Sequence, residues 1–218
     1  MQTDWTLHWL EALRPFSTDQ QSAISRAVDA AHASLAAQMP PPRLDMLIAA
    51  RSPDWVIDGM GLSGMAYLDK LMAMNCDPTS PDLLRSCETG AFSRQVLHEV
   101  NHCLRMTGPG YGRTLGEAMV SEGLAGHFVI HLMQSAPERW EQPFPPEERA
   151  ALLPDAATLN APGYDHAAWF FGTGDLPHWA GYRLGFALVA DWWAQHPTRA
   201  LDALIHTPAA DVLAVQGM

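Results

Sequence analysis

Apolar residues recur at helical spacing early in the chain. Between residues 19 and 38, the positions that share one helical face are Ile24, Val28, Ala31 and Leu35. This spacing follows a polar cap at 17–19 and precedes three prolines at 40–42, so it predicts a long amphipathic helix. A shorter amphipathic helix is predicted over residues 5–13.

After the prolines, the pattern changes from a helical period to short continuous apolar runs. Runs of this kind, bounded by glycine and proline, predict buried strands. The predicted strands are residues 44–50, 65–69 and 71–75. A glycine-rich stretch at 58–64 precedes the last two of them and predicts turns.

Helical patterns dominate the second half of the chain. The predicted helices are residues 93–106, 114–133, 146–153 and 177–195. Helices, then a small sheet, then further helices predict a single α+β domain over residues 1–218. Within it, residues 1–43 form an N-terminal helical part, 44–90 form the sheet, and 91–218 form the helical part that carries the candidate site.

The composition limits the partners and the location of the protein. The 218-residue chain carries a formal net charge of -11, which argues against nucleic acids and anionic membranes as partners. No stretch approaches ~20 continuous apolar residues, so no membrane-spanning helix is expected. The three cysteines lack a CxxC pair and the N-terminus lacks a signal-peptide pattern, so we expect a cytoplasmic protein.

The pentapeptide HEVNH at residues 98–102 is the strongest functional motif in this sequence. Because residues i and i+4 share a helix face, the imidazoles of His98 and His102 can bind one metal ion. Glu99 projects beside them, where its carboxylate can accept a proton from a water at the ion. This arrangement is typical of zinc peptidases, and we expect one Zn2+ per chain.

A catalytic zinc site needs a third protein ligand beside two histidines. Two glutamates downstream of the motif are candidates. Glu117 is explained by a capping box with Thr114, in which its carboxylate binds the first N–H groups of a helix. Glu122 lies in an otherwise apolar helix beside Gly123, where an unpaired carboxylate is costly and a metal ion would supply the partner. Glu122 is therefore the candidate third ligand, and a surface-exposed carboxylate is the alternative.

Three sequence blocks resemble a known group of enzymes. HEVNHCLR followed by SEGLAGHF looks like the gluzincin metallopeptidases, and with GYRLGFALV the chain is most similar to a bacterial family described as Zn-dependent proteases. The resemblance covers about residues 44–195. It implies a zincin-like fold, with a small mixed sheet packed on the active-site helix and further C-terminal helices. It also implies a metal site of His98, His102 and Glu122, with Glu99 as general base.

The resemblance has one departure. Thermolysin-type gluzincins place an aspartate four residues after the ligand glutamate, where it orients a zinc-bound histidine. This chain has Gly126 at that position. A ligating histidine usually donates its second N–H to an acceptor, so another residue must supply that acceptor here.

Hydrolysis at zinc also needs a donor that stabilises the developing oxyanion. Tyr182 and His178 stand four residues apart at the start of a predicted helix, so we expect them to share a face. Gly181 would allow a close approach to Tyr182, and the resemblance in GYRLG favours the tyrosine. Both are candidate catalytic residues, with a core tyrosine whose hydroxyl is hydrogen-bonded as the alternative.

Other candidate side chains have simpler explanations. His127 and His131 form a second i, i+4 pair, but no glutamate follows the first, so packing is the preferred interpretation. Cys103 is interpreted as a core thiol, and Arg105 as a partner for a carboxylate.

Together these features predict a zinc metallopeptidase that hydrolyses peptide bonds in a peptide or protein substrate. The predicted strand at 65–69 would be the sheet edge that pairs with an extended substrate. The alternative is a zinc-containing binding or regulatory protein of the same fold without hydrolytic activity. A third interpretation, a helical protein with a chance motif, requires Glu122 to be exposed.

Overall fold

The structure, a computed structural model, describes residues 4–196 and 198–215. These residues divide into two compact units, one up to Leu104 and one from Arg105. The first unit contains a mixed sheet with helices, and the second is helical, so the predicted α+β class is confirmed. That the whole chain is one domain stays a prediction.

Among the described residues of the first unit, four strands form one mixed sheet. They are β1 (Trp5–Leu10), β2 (Leu44–Ala50), β3 (Leu62–Leu68) and β4 (Leu71–Cys76). Their order is β1-β2-β4-β3, with β1, β2 and β4 parallel and β3 antiparallel to β4. The three predicted strands are confirmed, and the strand predicted at 65–69 overlaps β3, which ends at Leu68 and lies at one edge of the sheet.

The prediction of a helix over residues 5–13 is wrong, because β1 occupies this segment. Its side chains alternate between more buried and more exposed positions, as expected of a strand with one face on the core. β1 pairs in parallel with β2, from Trp5 opposite Leu44 to Leu10 opposite Ala49. Six residues would form fewer than two turns of helix. The same six residues all pair with β2, so this tertiary pairing decides their conformation.

The first unit also contains helices. They are α1 (Thr18–Ala36), α2 (Asp82–Glu88) and α3 (Ala91–Arg105), of which α3 packs against the sheet. α1 begins with a capping box at Ser17 and buries its predicted apolar face. α3 carries the HEVNH motif. Its Ser93 hydroxyl donates to the Ala27 carbonyl oxygen of α1 at 2.7 Å, and its Cys103 Sγ lies 4.0 Å from the Leu71 carbonyl oxygen of β4.

The second unit consists of helices joined by irregular segments. They are α4 (Leu115–Met133), α5 (Pro146–Leu152), α6 (Ala156–Asn160), α7 (Ala180–Ala194), α8 (Ala203–His206), α9 (Ala209–Ala214) and a π-helical turn at Ala167–Phe171. α4, α5 and α7 confirm the predicted helices at 114–133, 146–153 and 177–195, although α7 begins later than predicted. None of the helices in the described ranges is long and apolar enough to cross a membrane.

Two glycines bring the backbones of α4 and α7 into direct contact. A Cβ built on Gly123 would overlap the Gly185 carbonyl group, and a Cβ built on Gly185 would overlap the Met119 carbonyl oxygen. Gly123 therefore leaves room for the backbone of α7. Because Gly123 adjoins Glu122, this contact fixes the turn of α4 that carries the candidate ligand.

Candidate metal centre

α3 presents two histidines to each other one helical turn apart. The Nε2 atoms of His98 and His102 lie 3.1 Å apart, with the ring planes at 82°. Both side chains are buried, with 7% and 6% of their surface exposed. The i, i+4 spacing on a helix produces this approach, as the sequence predicts.

Glu122 is a buried carboxylate on α4, with 7% of its surface exposed. Its Oε1 accepts a hydrogen bond of 2.6 Å from the Tyr111 hydroxyl. This burial contradicts the chance-motif interpretation, which needs an exposed glutamate. Tyr111 was not among the predicted site residues, although its position between two glycines just before α4 was a usable signal.

His98, His102 and Glu122 form a buried triad. One nitrogen from each histidine and a carboxylate oxygen all lie within 4.8 Å of one another. Among the residues that the structure describes, this is the only group of three or more His, Cys, Asp and Glu side chains close enough to hold an ion.

The triad fits zinc in both chemistry and spacing. Imidazole nitrogen and carboxylate oxygen are ordinary zinc donors. Two nitrogens bound tetrahedrally at about 2.0–2.1 Å would lie about 3.3 Å apart. The observed separation of 3.1 Å between the two histidine nitrogens is close to that value.

Glu99 is held against the edge strand β3. It is 7% exposed, and a Cβ built on Gly64 of β3 would overlap its side chain from Cγ to the carboxylate. Only a glycine therefore leaves room for Glu99 at this point of the strand. The candidate base and the sheet edge are in direct contact within the first unit.

Glu117 forms the predicted capping box. Its Oε2 accepts hydrogen bonds from the Arg113 and Thr114 backbone N–H groups at 2.7 and 3.0 Å, and Thr114 Oγ1 accepts one from the Glu117 N–H. The bonds from Arg113 and Thr114 lower the pKa of the Glu117 carboxyl. Glu117 is thus explained by the start of α4, which agrees with the choice of Glu122 as ligand.

The two candidate donors to the oxyanion, Tyr182 and His178, pack against different side chains. Tyr182 lies in α7 and packs edge-on against Phe170, with ring centroids 5.0 Å apart. His178 precedes α7 and stacks on Trp179 at 4.1 Å. Because Trp179 has a left-handed backbone (φ 63°), the helix does not extend back to His178. The expectation that the two residues share a helix face is wrong, and their catalytic roles stay predictions.

The second histidine pair is accounted for by packing. His127 stacks on Phe186 at 4.0 Å, and its Nε2 lies 3.0 Å from the Phe186 carbonyl oxygen. Burial lowers the pKa of His127 to about 4, so its ring is neutral. His131 packs edge-on against Trp193.

Cys103 and Arg105 also have structural explanations. Burial, followed by the charges of Glu99 and Asp69, raises the pKa of the Cys103 thiol to about 12, so it stays protonated in the core. The prediction that Arg105 pairs with a carboxylate is wrong. Among the described residues, its guanidinium donates to the Ser121 hydroxyl and to the carbonyl oxygens of Ile205 and Thr207.

A carboxylate from elsewhere in the chain occupies the space beside Gly126. A Cβ built on Gly126 would overlap Oε1 of Glu141, which is 5% exposed and lies in the irregular segment between α4 and α5. Glu141 Oε2 accepts a hydrogen bond of 2.7 Å from the Glu138 N–H. Gly126 is one turn beyond Glu122 on the same face of α4. The Glu141 carboxylate therefore occupies the space into which a side chain at position 126 would extend.

Comparison with protein-family models identifies a family to which this chain belongs. A family model described as "Predicted Zn-dependent protease (DUF2268)" matches residues 24–214, which include α3, α4 and α7. Comparisons with curated proteins and with solved structures gave no match.

Proposed function

Because the chain belongs to this family of predicted Zn-dependent proteases, we propose that it is a zinc metallopeptidase of the gluzincin type. The observation that carries the proposal is the buried triad of His98, His102 and Glu122. Three protein ligands are the number that a catalytic zinc site uses, with the fourth position left for water or substrate. When bound, zinc would lower the pKa of that water towards ~7 and polarise the scissile carbonyl.

Glu99 is the proposed general base. Its carboxylate is buried beside the histidines on α3, so bulk water competes little for it. It accepts the proton of the attacking water and then delivers that proton to the nitrogen of the leaving amine. The carboxyl returns to its ionised form at the end of the cycle, so the proton balance closes.

The edge strand β3 is the proposed binding site for an extended substrate. Its exposed side chains include Met65, Tyr67 and Leu68, at 50%, 46% and 59% exposure. A peptide that pairs with this edge gains backbone hydrogen bonds without regard to its sequence. Because Gly64 contacts Glu99, a substrate paired at this point of the strand lies next to the base.

Gly64→Ala tests the link between the edge strand and the base. The added methyl must displace the Glu99 carboxylate, so we expect peptide hydrolysis to fall at least tenfold with zinc content unchanged. Turnover of a peptide library and zinc content by mass spectrometry measure the two effects. Gly174→Ala is a suitable control, since its Cβ would meet only Ala168, at an ordinary 3.7 Å. Full activity in Gly64→Ala would show that the contact between Gly64 and Glu99 has no part in the mechanism.

Tyr182 is the proposed donor to the oxyanion, with His178 as the second candidate. Tyr182 packs against the same apolar cluster of the second unit as Tyr111, whose hydroxyl donates to Glu122, and this supports the order. A neutral hydroxyl can stabilise developing negative charge without a change in its own protonation. The stacking of His178 on Trp179 gives no comparable support.

Glu141 is assigned the role of the aspartate that resembling enzymes carry at the position of Gly126. If the Glu141 carboxylate supports a ligand, Glu141→Gln should weaken zinc binding about tenfold, an effect typical of removing such a group. Competition with a fluorescent chelator measures the zinc Kd. Glu147→Gln, an exposed site on α5, is the control. An unchanged Kd in Glu141→Gln would show that the carboxylate only fills space.

A further inference from the structure

Tyr111 lies between two glycines in the segment just before α4, and the backbone at both glycines is left-handed. Gly110 and Gly112 have positive φ angles of 78° and 98°, which side chains other than glycine rarely adopt. The backbone therefore turns sharply on both sides of Tyr111. The sequence Gly-Tyr-Gly makes this path accessible.

Hydrogen bonds fix the segment to its surroundings within the second unit. The Gly110 N–H donates to the Arg105 carbonyl oxygen at 2.8 Å, and the Ser121 hydroxyl lies 3.5 Å from the Gly110 carbonyl oxygen. The Arg113 N–H donates to the Glu117 carboxylate at 2.7 Å. The backbone on both sides of Tyr111 is thus held without help from its own hydroxyl group.

The Tyr111 hydroxyl donates a hydrogen bond of 2.6 Å to Glu122 Oε1. A hydroxyl bonded to a carboxylate at this distance is a strong, charge-assisted hydrogen bond.

We propose that Tyr111 is a positioning residue that fixes the carboxylate of Glu122 in the orientation needed for metal binding. A carboxylate has lone pairs for both a hydroxyl donor and a cation, so the two interactions are compatible. With its orientation already set, Glu122 loses less conformational freedom when the ion binds. The inference rests on the proposed metal site and adds a residue to it that touches neither ion nor substrate.

Tyr111→Phe tests the proposal because it removes the hydroxyl and keeps the ring. We expect the zinc Kd, measured by chelator competition, to rise roughly 10- to 100-fold. The visible absorption spectrum of the cobalt(II)-substituted protein should also change, since it reports ligand geometry directly. Tyr164→Phe is the matched control, because it removes a tyrosine hydroxyl that bonds His166 at 3.2 Å in the same unit.

Two results would overturn the proposal. One is a zinc Kd for Tyr111→Phe within twofold of wild type, even if peptide turnover falls. The other is an equal rise in Kd for both variants together with equal loss of stability in the metal-free protein, which would indicate a structural hydroxyl. Failure of the wild-type protein to bind zinc at all would instead reject the proposed function, so the two failures are distinguishable.

Discussion

Glu99→Gln is expected to abolish peptide hydrolysis while the protein keeps about one zinc per chain. Glutamine has nearly the shape of glutamate and fits the same buried space against Gly64, but its amide cannot accept the proton of the attacking water. Loss of a general base typically slows a reaction roughly 100- to 10,000-fold. Because Glu99 is not a ligand in the proposed site, zinc content should not change.

Turnover of a peptide library and zinc content by mass spectrometry measure both parts of this expectation. Glu88→Gln, at an exposed position on α2, is the matched control and should behave as wild type. If wild type hydrolyses peptides and Glu99→Gln retains that turnover, Glu99 has no part in the mechanism. If wild type binds zinc and hydrolyses nothing, the alternative of a zinc-containing binding or regulatory protein gains support.

His102→Ala is expected to reduce the zinc content from about one per chain to nearly none. A catalytic zinc site depends on three protein ligands, and two remaining ligands do not hold the ion during purification. Loss of zinc should also remove peptide hydrolysis. The same result is expected for His98→Ala and Glu122→Ala, since all three residues belong to the triad.

The second histidine pair supplies a control with the same helical spacing. His131→Ala removes a ring that packs on Trp193 and should leave zinc content unchanged, even if stability falls. Zinc loss in both His102→Ala and His131→Ala would indicate general unfolding rather than loss of a ligand. Zinc that persists in His102→Ala would place the metal elsewhere, and a wild-type protein that takes up no zinc would reject the enzyme hypothesis.

The sequence was sufficient to select the three candidate ligands because their signals are local. The spacing of His98 and His102 places both rings on one helix face, whatever the rest of the fold does. Glu122 stands out because a carboxylate in an apolar helix needs a partner. The structure supports these expectations by burying the three residues as a group.

The arrangement of the other residues proposed for the site could not be predicted in the same way. Glu141 reaches Gly126 from an irregular segment, and no periodic pattern links positions so far apart along the chain. His178 and Tyr182 look like a helical pair in the sequence, but the left-handed Trp179 interrupts the helix between them. Tyr111 lies in a loop, where the hydrogen-bond partner of a side chain depends on tertiary structure.

The first strand shows the same limit for secondary structure. The segment of β1 is short and apolar, so its sequence is compatible with either a helix or a strand. The parallel ladder to β2, whose paired residues are 39 positions apart in the sequence, decides between them. Local periodicity identifies α1, α4 and α7 because each is long enough to repeat its pattern several times.

β3 lies at the edge of the sheet, and the feature that would let it bind a peptide also favours aggregation of the protein. A strand edge that can bind an extended peptide is also a template for intermolecular sheet growth and aggregation. The register of β3 is irregular between Ala66 and Leu68, so its regular ladder with β4 extends only from Leu62 to Ala66. Five residues span about 17 Å, which suits a short peptide but offers little length for a self-propagating assembly. The irregular register thus shortens the edge that is open to self-association, and the regular part of the edge stays open to an extended peptide.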